Sequence, residues 1–568
     1  MNNEAIIILT VMGLGLLFLI IITNRNYNLN NIKSKRVGDG QHGTAKFASN
    51  AEIRSALKEV PYEPSKWRQK TRLPPTQGVI IGYTKKHNKV HALVDDSDVN
   101  TLMIGAAGIG KTAYFLYPNL EYACASGMSF MTTDTKGDLF RNYATIAEKY
   151  YGYKVSIIDL RNPLNSHHFN LLHLVNKYME LYYKSKNNLT YKAKAEKYAK
   201  IISRTIIYSG ETDMNFGQNQ FFYDSAEGLL TATILIVAEF AEKNKRHIIS
   251  VFKLIQDLLA PVGHKSNEFK VLMEQLPENH KARWFAGAAL NTSDQSMQAV
   301  ISTALARLNA FIDSEMEQIL CFDTDLDAET FCNEKSALFL VMPEEDNTKY
   351  FIISLIIQQL YREILTIADE MGGALNNRVV FFLDEIGTMP KIENAEMMFS
   401  ASRSRKLSLV AIIQSLAQLE RNYDAQGAEI IVDNCQNSIF GGFAPNSKTA
   451  DVLSNNLGTQ TILSGSVNKG NGETSQSLQM IERPLMTSDE LKSMPKGDFI
   501  VMKTGYNPMK MKLKLYKEWG IEFEEPYVVN TKDRGEIEYT SKDEIFSAVS
   551  GTDLHNKIKQ KKGKMRVE

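Results

Sequence analysis

The sequence predicts an α/β protein in which a parallel sheet is interrupted by a long helical segment. Short apolar runs such as "TLMI", "MSFMTTD" and "KVSIIDL" alternate with stretches whose apolar residues recur at helical spacing. A glycine-rich loop, "GAAGIGKT", directly follows the first of these runs. Strand, helix and strand in succession is the order that builds a parallel sheet covered by helices.

The elements follow in order along the chain. Ahead of the loop, "GVIIGY" and "VHALV" are predicted short strands, and "TLMI" is a predicted buried strand. After the loop, "KTAYFLYPNLEYACAS" and "LFRNYATIAEKYY" are predicted helices that precede the strands "MSFMTTD" and "KVSIIDL". From about residue 171 to residue 330 helical stretches occur almost exclusively, which predicts an all-helical insertion. The sheet resumes with "SALFLVM", a long helix, "RVVFFLDE" and "LSLVAIIQS".

Composition limits the classes of protein that fit. The 568 residues are too many for one ordinary domain, and 43% apolar with 23% charged residues is a globular composition. Lys+Arg and Asp+Glu both number 65, so the formal net charge is zero and any nucleic-acid surface must be local. The four cysteines form no CxxC pair, and no histidine lies at zinc-finger spacing from them. This favours buried thiols of a reducing compartment over disulfides or metal ligands.

The N-terminus predicts a retained membrane anchor. The stretch from Ala5 to Ile22 is 18 residues without a charge. As a helix it would be about 27 Å long, close to the hydrocarbon thickness of a bilayer. The flanking residues do not resemble those of a cleaved signal peptide. Basic residues follow at positions 25, 33, 35 and 36, which predicts a single-pass protein of the cell membrane with its bulk in the cytoplasm. The alternative is a buried hydrophobic helix.

The glycine-rich loop fits GxxxxGK[ST], in which backbone N–H groups at a helix N-terminus cradle phosphates. Its predicted position between a strand and a helix is the context that this P-loop pattern requires. Lys111 is expected to neutralise the β- and γ-phosphates of ATP, and the Thr112 hydroxyl to bind Mg²⁺. The alternative is an ordinary glycine-rich turn. The predicted nucleotide-binding residues are Gly105, Ala106, Ala107, Gly108, Ile109, Gly110, Lys111 and Thr112.

An acidic pair ends the predicted strand in "RVVFFLDE". Asp384 is expected to hold the Mg²⁺ ion and Glu385 to polarise the attacking water. Gln414 ends the next predicted strand, so we expect it to lie near this pair and to contact the γ-phosphate. Acids at strand ends are common, and a polar strand end is the alternative for each. The prediction therefore depends on the P-loop lying in the same sheet.

Three further groups have two interpretations each. Arg403 and Arg405 follow a predicted helix, where an arginine that reaches a neighbouring subunit's nucleotide would stabilise transition-state charge, or where both are simply solvated. Asp134 and Lys136 are predicted to end the strand beside the P-loop strand, either contacting water or nucleotide or capping the next helix. The basic run Lys557–Arg566 is predicted to be a solvated tail, with lipid, DNA or protein contacts as alternatives.

With these residues in place, the chain resembles the coupling ATPases of type IV secretion, the TraG/TraD family of conjugative transfer. The resemblance covers about residues 41–514. It rests on "HGTAKFA", "GAAGIGKT", "DTKGDLF", "FNLLHL", "SMQAVISTALARL", "VVFFLDEIGTMP", "SRSRKLSLVAIIQSLAQL", "TADVLSNNLG" and "RPLMTSDEL". It implies a membrane-anchored homohexamer that binds ATP and Mg²⁺. The catalytic residues implied by the matching motifs are Lys111, Glu385, Gln414 and a trans-acting Arg403, with Thr112 and Asp384 as metal ligands.

The resemblance also implies a domain order and a function. The parts are a membrane anchor and linker (1–40), a RecA-like nucleotide-binding domain in two segments (41–170 and 331–520), an all-alpha domain (171–330) and a polar basic tail (521–568). The expected function is DNA-dependent ATP hydrolysis that delivers single-stranded DNA with its relaxase, or secreted proteins, to a type IV secretion channel. The alternatives are a nucleotide-binding substrate receptor without motor activity and an FtsK/HerA-like DNA translocase. Many family members carry two membrane spans, whereas this sequence has room for one.

Overall fold

The computed structural model describes residues 41–208, 219–259, 268–343, 349–389, 391–469, 474–529 and 535–551, together with Gly15. The predicted membrane span, apart from Gly15, and the basic run Lys557–Arg566 lie outside these residues. The described residues fall into two compact units. The larger unit contains residues 57–439 and those from 512 onward, and the smaller unit contains the remainder.

The strands, in chain order, are β1 (Lys58–Pro61), β2 (Val79–Lys86), β3 (Lys89–Asp95), β4 (Asn100–Ile104), β5 (Ser129–Asp134), β6 (Lys154–Asp159), β7 (Ser336–Val341), β8 (Val379–Asp384), β9 (Leu407–Ile413), β10 (Cys435–Phe440), β11 (Thr459–Lys469), β12 (Thr474–Pro484), β13 (Asp498–Lys503) and β14 (Met509–Lys512). Each strand predicted from an apolar run is present within a few residues of its expected position. Strands β1 and β10–β14 were not predicted from the sequence.

The α-helices, in chain order, are α1 (Asn50–Ala56), α2 (Pro64–Arg68), α3 (Tyr117–Ser126), α4 (Asp138–Tyr151), α5 (His173–Lys184), α6 (Leu189–Ile207), α7 (Gln220–Phe240), α8 (Ile248–Leu259), α9 (Glu268–Gln275), α10 (Lys281–Leu290), α11 (Asp294–Leu308), α12 (Ser314–Leu320), α13 (Ala328–Asn333), α14 (Tyr350–Glu370), α15 (Ala395–Ala401), α16 (Leu416–Asp433), α17 (Lys448–Asn456) and α18 (Ser488–Lys492). A π-helical turn, Lys111–Leu116, precedes α3. The described part of the chain between β6 and β7 contains helices and loops without a strand.

The central sheet of the larger unit has the strand order β10-β4-β9-β8-β5-β7-β6. The pairs from β4 to β6 are parallel. Every side chain of β4, β5, β7 and β9 is buried, which is the pattern of a parallel sheet covered on both faces. A separate antiparallel sheet has the order β1-β3-β2. The larger unit is therefore an α/β structure, as its alternating apolar runs predict.

The C-terminal segment of the larger unit is packed against it rather than held apart. The ring of Phe523 lies 4.8 Å from that of Tyr117 at the start of α3. Further along, Ile545 and Val549 are 0% and 2% exposed. The polar composition of residues 521–568 does not predict this packing, because only a few apolar side chains, spaced along the segment, make the contacts.

The smaller unit contains the ribbon of β11 and β12, which pair antiparallel from Thr459↔Pro484 to Lys469↔Thr474. The N-terminal residues join this ribbon through a bridge between Thr44 and Gln460. Helix α18 begins with a capping box in which Thr487 and Glu490 satisfy each other's backbone N–H groups.

Two helices of the described chain are long and apolar enough to cross a membrane by length and composition, α7 and α14. In the folded chain, 72% and 78% of their apolar stretches are buried inside the protein. That burial is typical of core helices, and the predicted anchor is a different segment.

Candidate active site

The P-loop joins the end of β4 to the π-helical turn, and its backbone conformation depends on glycine. Gly108 and Gly110 have φ of 77° and 88°, in the left-handed region that favours glycine. The N–H of Gly105 donates to the carbonyl of Ile413 at 3.1 Å, which ties the loop to the end of β9. The loop therefore lies at the carboxyl edge of the parallel sheet, where ligands of open α/β sheets bind.

The helix after the loop begins differently from the sequence prediction. Residues Lys111–Leu116 form a π-helical turn, and regular α-helix begins at Tyr117. π-Helical turns are rare in proteins, and many of those that do occur lie at functional sites. Apolar periodicity cannot distinguish a single wider turn from an α-helix, so this turn could not be predicted from the sequence.

Lys111 is turned into the site. Its side chain is 8% exposed, and its Nζ donates to the Gly105 carbonyl at 2.9 Å. The same Nζ lies 3.5 Å from Oε1 of Glu385. The ammonium group is thus shared between the loop backbone and the acidic pair.

Asp384 is the last residue of β8, and Glu385 comes directly after it. Glu385 has φ of +56°, a left-handed conformation that costs a non-glycine residue about 1–3 kcal/mol and persists only where the surroundings enforce it. Oδ1 of Asp384 and Oε2 of Glu385 are buried and have no hydrogen-bond partner among the described residues. Burial, reinforced by the Glu385 charge and opposed by Lys111, raises the pKa of Asp384 to about 7.

Gln414 reaches the same place from the neighbouring strand. Its Nε2 donates to Oε1 of Glu385 at 3.1 Å. Strand β9 lies between β4 and β8, so its end brings Gln414 between the P-loop and the acidic pair. Lys111, Glu385 and Gln414 therefore converge, although more than 270 residues separate the first two in the chain.

The residues at this edge fit a magnesium-bound nucleotide. Two buried carboxylate oxygens without a donor are unfavourable unless a cation or a donor approaches them. Thr112 lies next to Lys111 at the first turn of the helix, the position of a metal-binding hydroxyl in P-loops. Among the described residues no three His, Cys, Asp or Glu side chains form a cluster that could hold a metal ion. Mg²⁺ needs no such cluster, because it keeps several waters and takes one or two carboxylates plus phosphates.

Arg403 and Arg405 lie elsewhere. They belong to the short 3₁₀ turn Arg403–Arg405 that precedes β9, whereas the P-loop faces the end of β9. Strand β9, which separates this turn from the P-loop, has seven residues and is about 20 Å long. Neither arginine therefore lies in the site of its own chain. Arg405 is paired with Asp369, Nε to Oδ1 at 3.2 Å. Arg403 has no ion pair among the described residues, and its Nε is buried without a hydrogen-bond partner.

Asp134 ends β5 as predicted, but the prediction that this strand lies beside the P-loop strand was wrong. Strand β5 lies between β8 and β7, and β9 and β8 separate it from the P-loop strand. The reason is that β8 and β9, which come much later in the chain, pair between two strands that are consecutive in sequence. Asp134 accepts from the N–H groups of Lys136, Gly137 and Phe140 at 3.2, 2.8 and 3.0 Å, which supports the capping interpretation. Lys136 is exposed.

Two residues that the sequence does not predict as part of the site hold the acidic pair in place. The hydroxyl of Thr133 donates to the Asp384 carbonyl at 2.8 Å. Nδ2 of Asn422 donates to the carbonyls of Ile386 and Met389 at 3.1 and 2.7 Å. Neither residue belongs to a motif, and only the folded backbone brings them to the site.

The four cysteines are buried and free. Burial raises the pKa of the thiols of Cys124, Cys321, Cys332 and Cys435. These thiols are therefore poor nucleophiles, and they belong to the core.

The sequence is similar to those of proteins of type IV secretion and conjugal transfer. A sequence model of the family described as Type IV secretory system Conjugative DNA transfer matches residues 65–549. The type IV secretion system-coupling protein VirD4 of Bartonella henselae is 22% identical over 325 residues, 56% of this chain and 50% of that protein. The conjugal transfer protein TraG of Escherichia coli is 22% identical over 515 residues, 85% of this chain and 77% of that protein. The chain thus spans about half the length of the VirD4 relative.

Solved structures share the fold. The unbound bacterial conjugative coupling protein TrwBdeltaN70 superposes with a TM-score of 0.56 at 15% identity, over 87% of this chain and 97% of that one. The plasmid coupling protein TrwB has also been solved with the ATP analogue ADPNP, at a TM-score of 0.55 and 14% identity over 88% and 100% of the two chains. A further TrwB structure contains ADP and Mg²⁺, at a TM-score of 0.55 and 15% identity over 83% and 95% of the two chains. Because the family match extends over residues 65–549 of 568, the chain belongs to the type IV secretory system conjugative DNA transfer family of coupling proteins.

Proposed function

We propose that this chain is an ATP-hydrolysing coupling protein that delivers relaxase-bound single-stranded DNA or protein substrates to a type IV secretion channel. One observation carries the proposal. Nζ of Lys111 and Nε2 of Gln414 approach Oε1 of Glu385 at 3.5 and 3.1 Å, at the sheet edge where the P-loop lies. A cation from a phosphate-binding loop and a carboxylate that a neighbouring amide orients are what phosphoryl transfer to water requires.

The proposed ligand is ATP with Mg²⁺. Residues 105–112 would hold the phosphates, and Thr112 and Asp384 would hold the metal ion. The TrwB structures with ADPNP and with ADP and Mg²⁺ support this assignment by analogy of fold. When bound, Mg²⁺ neutralises charge on the β- and γ-phosphate oxygens.

The side chains of this chain have separate roles in the proposal. Lys111 leaves the Gly105 carbonyl and Glu385 to contact phosphate oxygens. Glu385 then orients and polarises the attacking water through its carboxylate, and Gln414 holds that carboxylate through Oε1. Arg403 of one subunit would complete the site of the next, because it lies at the opposite end of its own strand and has no ion pair among the described residues.

The proposed assembly is a membrane-anchored homohexamer. A neutral chain can present a basic channel when several copies place a few cations each along one axis. The anchor would be residues 5–22 in the cell membrane, with the bulk of the chain in the cytoplasm. The helices from α5 to α13 support an all-alpha domain at 171–330, between the two segments of a RecA-like domain at 41–170 and 331–520. Its partners would be DNA with relaxase, secreted proteins and channel components.

The test measures ATP hydrolysis by the full chain with and without single-stranded DNA. We expect DNA to stimulate hydrolysis and Lys111→Ala to abolish it, because the variant loses the cation at the phosphates. Lys149→Ala removes a lysine that is paired with Glu524 at 2.8 Å on the outside of α4, and it serves as the control for charge loss. Hydrolysis by Lys111→Ala at the wild-type rate would overturn the proposal.

A conjugation assay separates the motor from the alternatives. Glu385→Gln should bind ATP without turning it over, so a motor loses transfer in this variant whereas a receptor without motor activity retains it. An FtsK/HerA-like translocase would instead show a chromosome-segregation defect on deletion, with conjugation intact.

A further inference from the structure

The loop after Glu385 is held in a defined shape from within. The N–H groups of Thr388 and Met389 donate to the Glu385 carbonyl at 2.9 and 3.2 Å, and the Thr388 hydroxyl donates to it at 3.0 Å. These bonds close a tight turn directly after the left-handed Glu385 backbone. The direction of the Glu385 carboxylate therefore depends on the shape of this turn.

Asn422 holds that turn from outside. Both hydrogen bonds of its Nδ2 group go to the turn, to the carbonyls of Ile386 and Met389 at 3.1 and 2.7 Å. The two acceptors flank the turn, so one amide group fixes the distance between its beginning and its end. An apolar side chain at 422 would leave both carbonyls without this donor.

The helix that carries Asn422 is built to lie against the loop. A Cβ atom on Gly387 would approach the Gln418 Cβ to 3.0 Å, so the loop and the helix are in close contact there. One turn later, the Tyr423 hydroxyl accepts from the N–H of Ile392 at 3.2 Å. At Asp424 the backbone turns away, with φ of 59° and ψ of 175°, which ends the straight part of α16.

The same half-helix is joined to the other strand of the site. Oε1 of Gln418 accepts from the N–H of Gln414 at 3.1 Å, and Gln414 in turn donates to Glu385. Residues 416–423 thus contact the Glu385 loop on one side and the end of β9 on the other. A rigid element with both contacts can fix a carboxylate within the tolerance that catalysis needs.

We infer that Asn422 is a positioning residue, which orients Glu385 by holding the carbonyls of Ile386 and Met389. The inference rests on the proposed function, since it assigns Asn422 a role in turnover through Glu385. The hydrogen bonds of the Asn422 side chain among the described residues go to the Glu385 loop and not to the P-loop. Loss of Asn422 also leaves the charge of Glu385 in place, so we expect Asn422 to act on the catalytic step and to leave nucleotide affinity unchanged.

The test compares Asn422→Ala and Asn422→Asp with Asn434→Ala in the full chain. Aspartate has the shape of asparagine but lacks the two donors, so both 422 variants should lower kcat for ATP about 10- to 100-fold, the usual effect of losing an outer-shell partner. Asn434 donates from Nδ2 to the Ile430 carbonyl at 2.9 Å at the far end of the same helix. Its variant loses a similar bond away from the loop, and we expect its kcat within twofold of wild type.

Two measurements separate positioning from general destabilisation. The affinity for ADPNP should be unchanged in Asn422→Ala, whereas a misfolded site would lose affinity as well. In the protein without nucleotide, amide hydrogen exchange of the peptide covering 385–389 should accelerate in Asn422→Ala and remain unchanged in Asn434→Ala.

A double variant completes the test. If Asn422 acts through Glu385, Glu385→Gln/Asn422→Ala turns over no more slowly than Glu385→Gln alone. The inference would be overturned, and the proposed function left intact, by either of two results. One is a double variant in which the kcat losses of the two single variants multiply, and the other is a kcat for Asn422→Ala within twofold of wild type. An absence of hydrolysis in the wild-type chain, or an unaffected Glu385→Gln, would instead overturn the proposed function. Unaltered exchange at 385–389 in Asn422→Ala would still count against the inference in that case.

Discussion

The ammonium of Lys111 lies 3.5 Å from Oε1 of Glu385, so the cation proposed to bind phosphate and the carboxylate proposed to activate water are held against each other. The pair is nearly buried, at 8% and 16% exposure. The same Nζ also donates to the Gly105 carbonyl. To bind a phosphate as proposed, Lys111 would have to give up both of these partners.

This pairing predicts that Glu385→Gln tightens nucleotide binding while it strongly slows turnover. The substitution removes a negative charge that competes with phosphate for Lys111 and that repels the phosphate. We expect turnover to fall about 10²–10⁴-fold, the usual effect of losing a general base. Fluorescent ATP-analogue titration beside a hydrolysis assay measures both quantities. Weaker binding together with normal turnover would show that Glu385 does not face the phosphates.

Arg403 is predicted to act on the neighbouring subunit, and Arg405 is not. Arg405 is engaged with Asp369, whereas Arg403 has a buried Nε without a partner among the described residues. Arg403→Ala should lower turnover of the assembled protein about 10³-fold or more, as removal of a trans-acting arginine does. Arg405→Ala loses a partly exposed ion pair and a hydrogen bond to the Ala401 carbonyl, and it should change turnover less than threefold.

Mixed assemblies give the decisive measurement for Arg403. Neither Arg403→Ala nor Lys111→Ala should hydrolyse ATP alone. Mixed, they form some sites with an intact Lys111 from one subunit and an intact Arg403 from the next, so activity should return in part. Mixtures that stay inactive would place Arg403 in its own chain's machinery, and hydrolysis by Arg403→Ala alone would place it outside the site altogether.

The site shows what the sequence could and could not predict. The P-loop and the acidic strand end were predictable because each is a local pattern: "GAAGIGKT" and "VVFFLDE" need only their immediate neighbours to be interpreted. The proximity of Gln414 to Glu385 was also predictable, because consecutive strands of a parallel sheet often pair.

Other features depended on contacts between distant parts of the chain. The position of β5 was predicted wrongly, because β9 and β8 are inserted between it and β4 from a later part of the sequence. The role of Asn422 could not be predicted, because a side chain that donates to two backbone carbonyls needs no motif, only the right position on a helix. The burial of Ile545 and Val549 could not be predicted either, because the residues around them in the sequence are mostly polar.

A buried charge pair near the sheet is predicted to contribute strongly to folding. The carboxylate of Glu121 is fully buried and accepts from Arg68 at 2.9 and 2.8 Å, and also from the hydroxyls of Tyr143 and Tyr151 at 3.1 and 2.6 Å. Arg68→Met leaves this carboxylate without its counter-charge, and we expect a loss of about 3–5 kcal/mol in the free energy of unfolding. Denaturant unfolding followed by fluorescence measures it.

Lys243→Met is the matched control for Arg68→Met. It breaks the pair with Asp323, Nζ to Oδ2 at 3.1 Å, in which the two side chains are 70% and 77% exposed. Water solvates the remaining carboxylate, so the cost should stay below about 1 kcal/mol. Equal losses in the two variants would mean that the Glu121 cluster is stabilised by its tyrosines and not by the arginine.

Stability should fall in mildly acidic solution because of His247. Its side chain is buried, and burial holds its pKa below the usual value even though a hydrogen bond to the Glu538 carbonyl opposes the shift. Nδ1 of the ring accepts from the N–H of Ser250 at 3.3 Å, and Nε2 lies 2.9 Å from the Glu538 oxygen. The neutral ring with its proton on Nε2 satisfies both contacts, and a second proton on Nδ1 would face the Ser250 N–H.

The sign of the effect follows from this difference in proton binding. Below a pH of about 6.5 the unfolded chain protonates its histidine whereas the folded chain does not, so protons favour unfolding. The stabilisation is complete above that pH and is lost as the pH falls. We therefore expect a larger decrease in melting temperature between pH 7.5 and 5.5 for the wild type than for His247→Gln, whose amide can still donate to the Glu538 carbonyl. Parallel pH profiles of the two proteins would show instead that His247 binds a proton equally well in the folded and the unfolded chain.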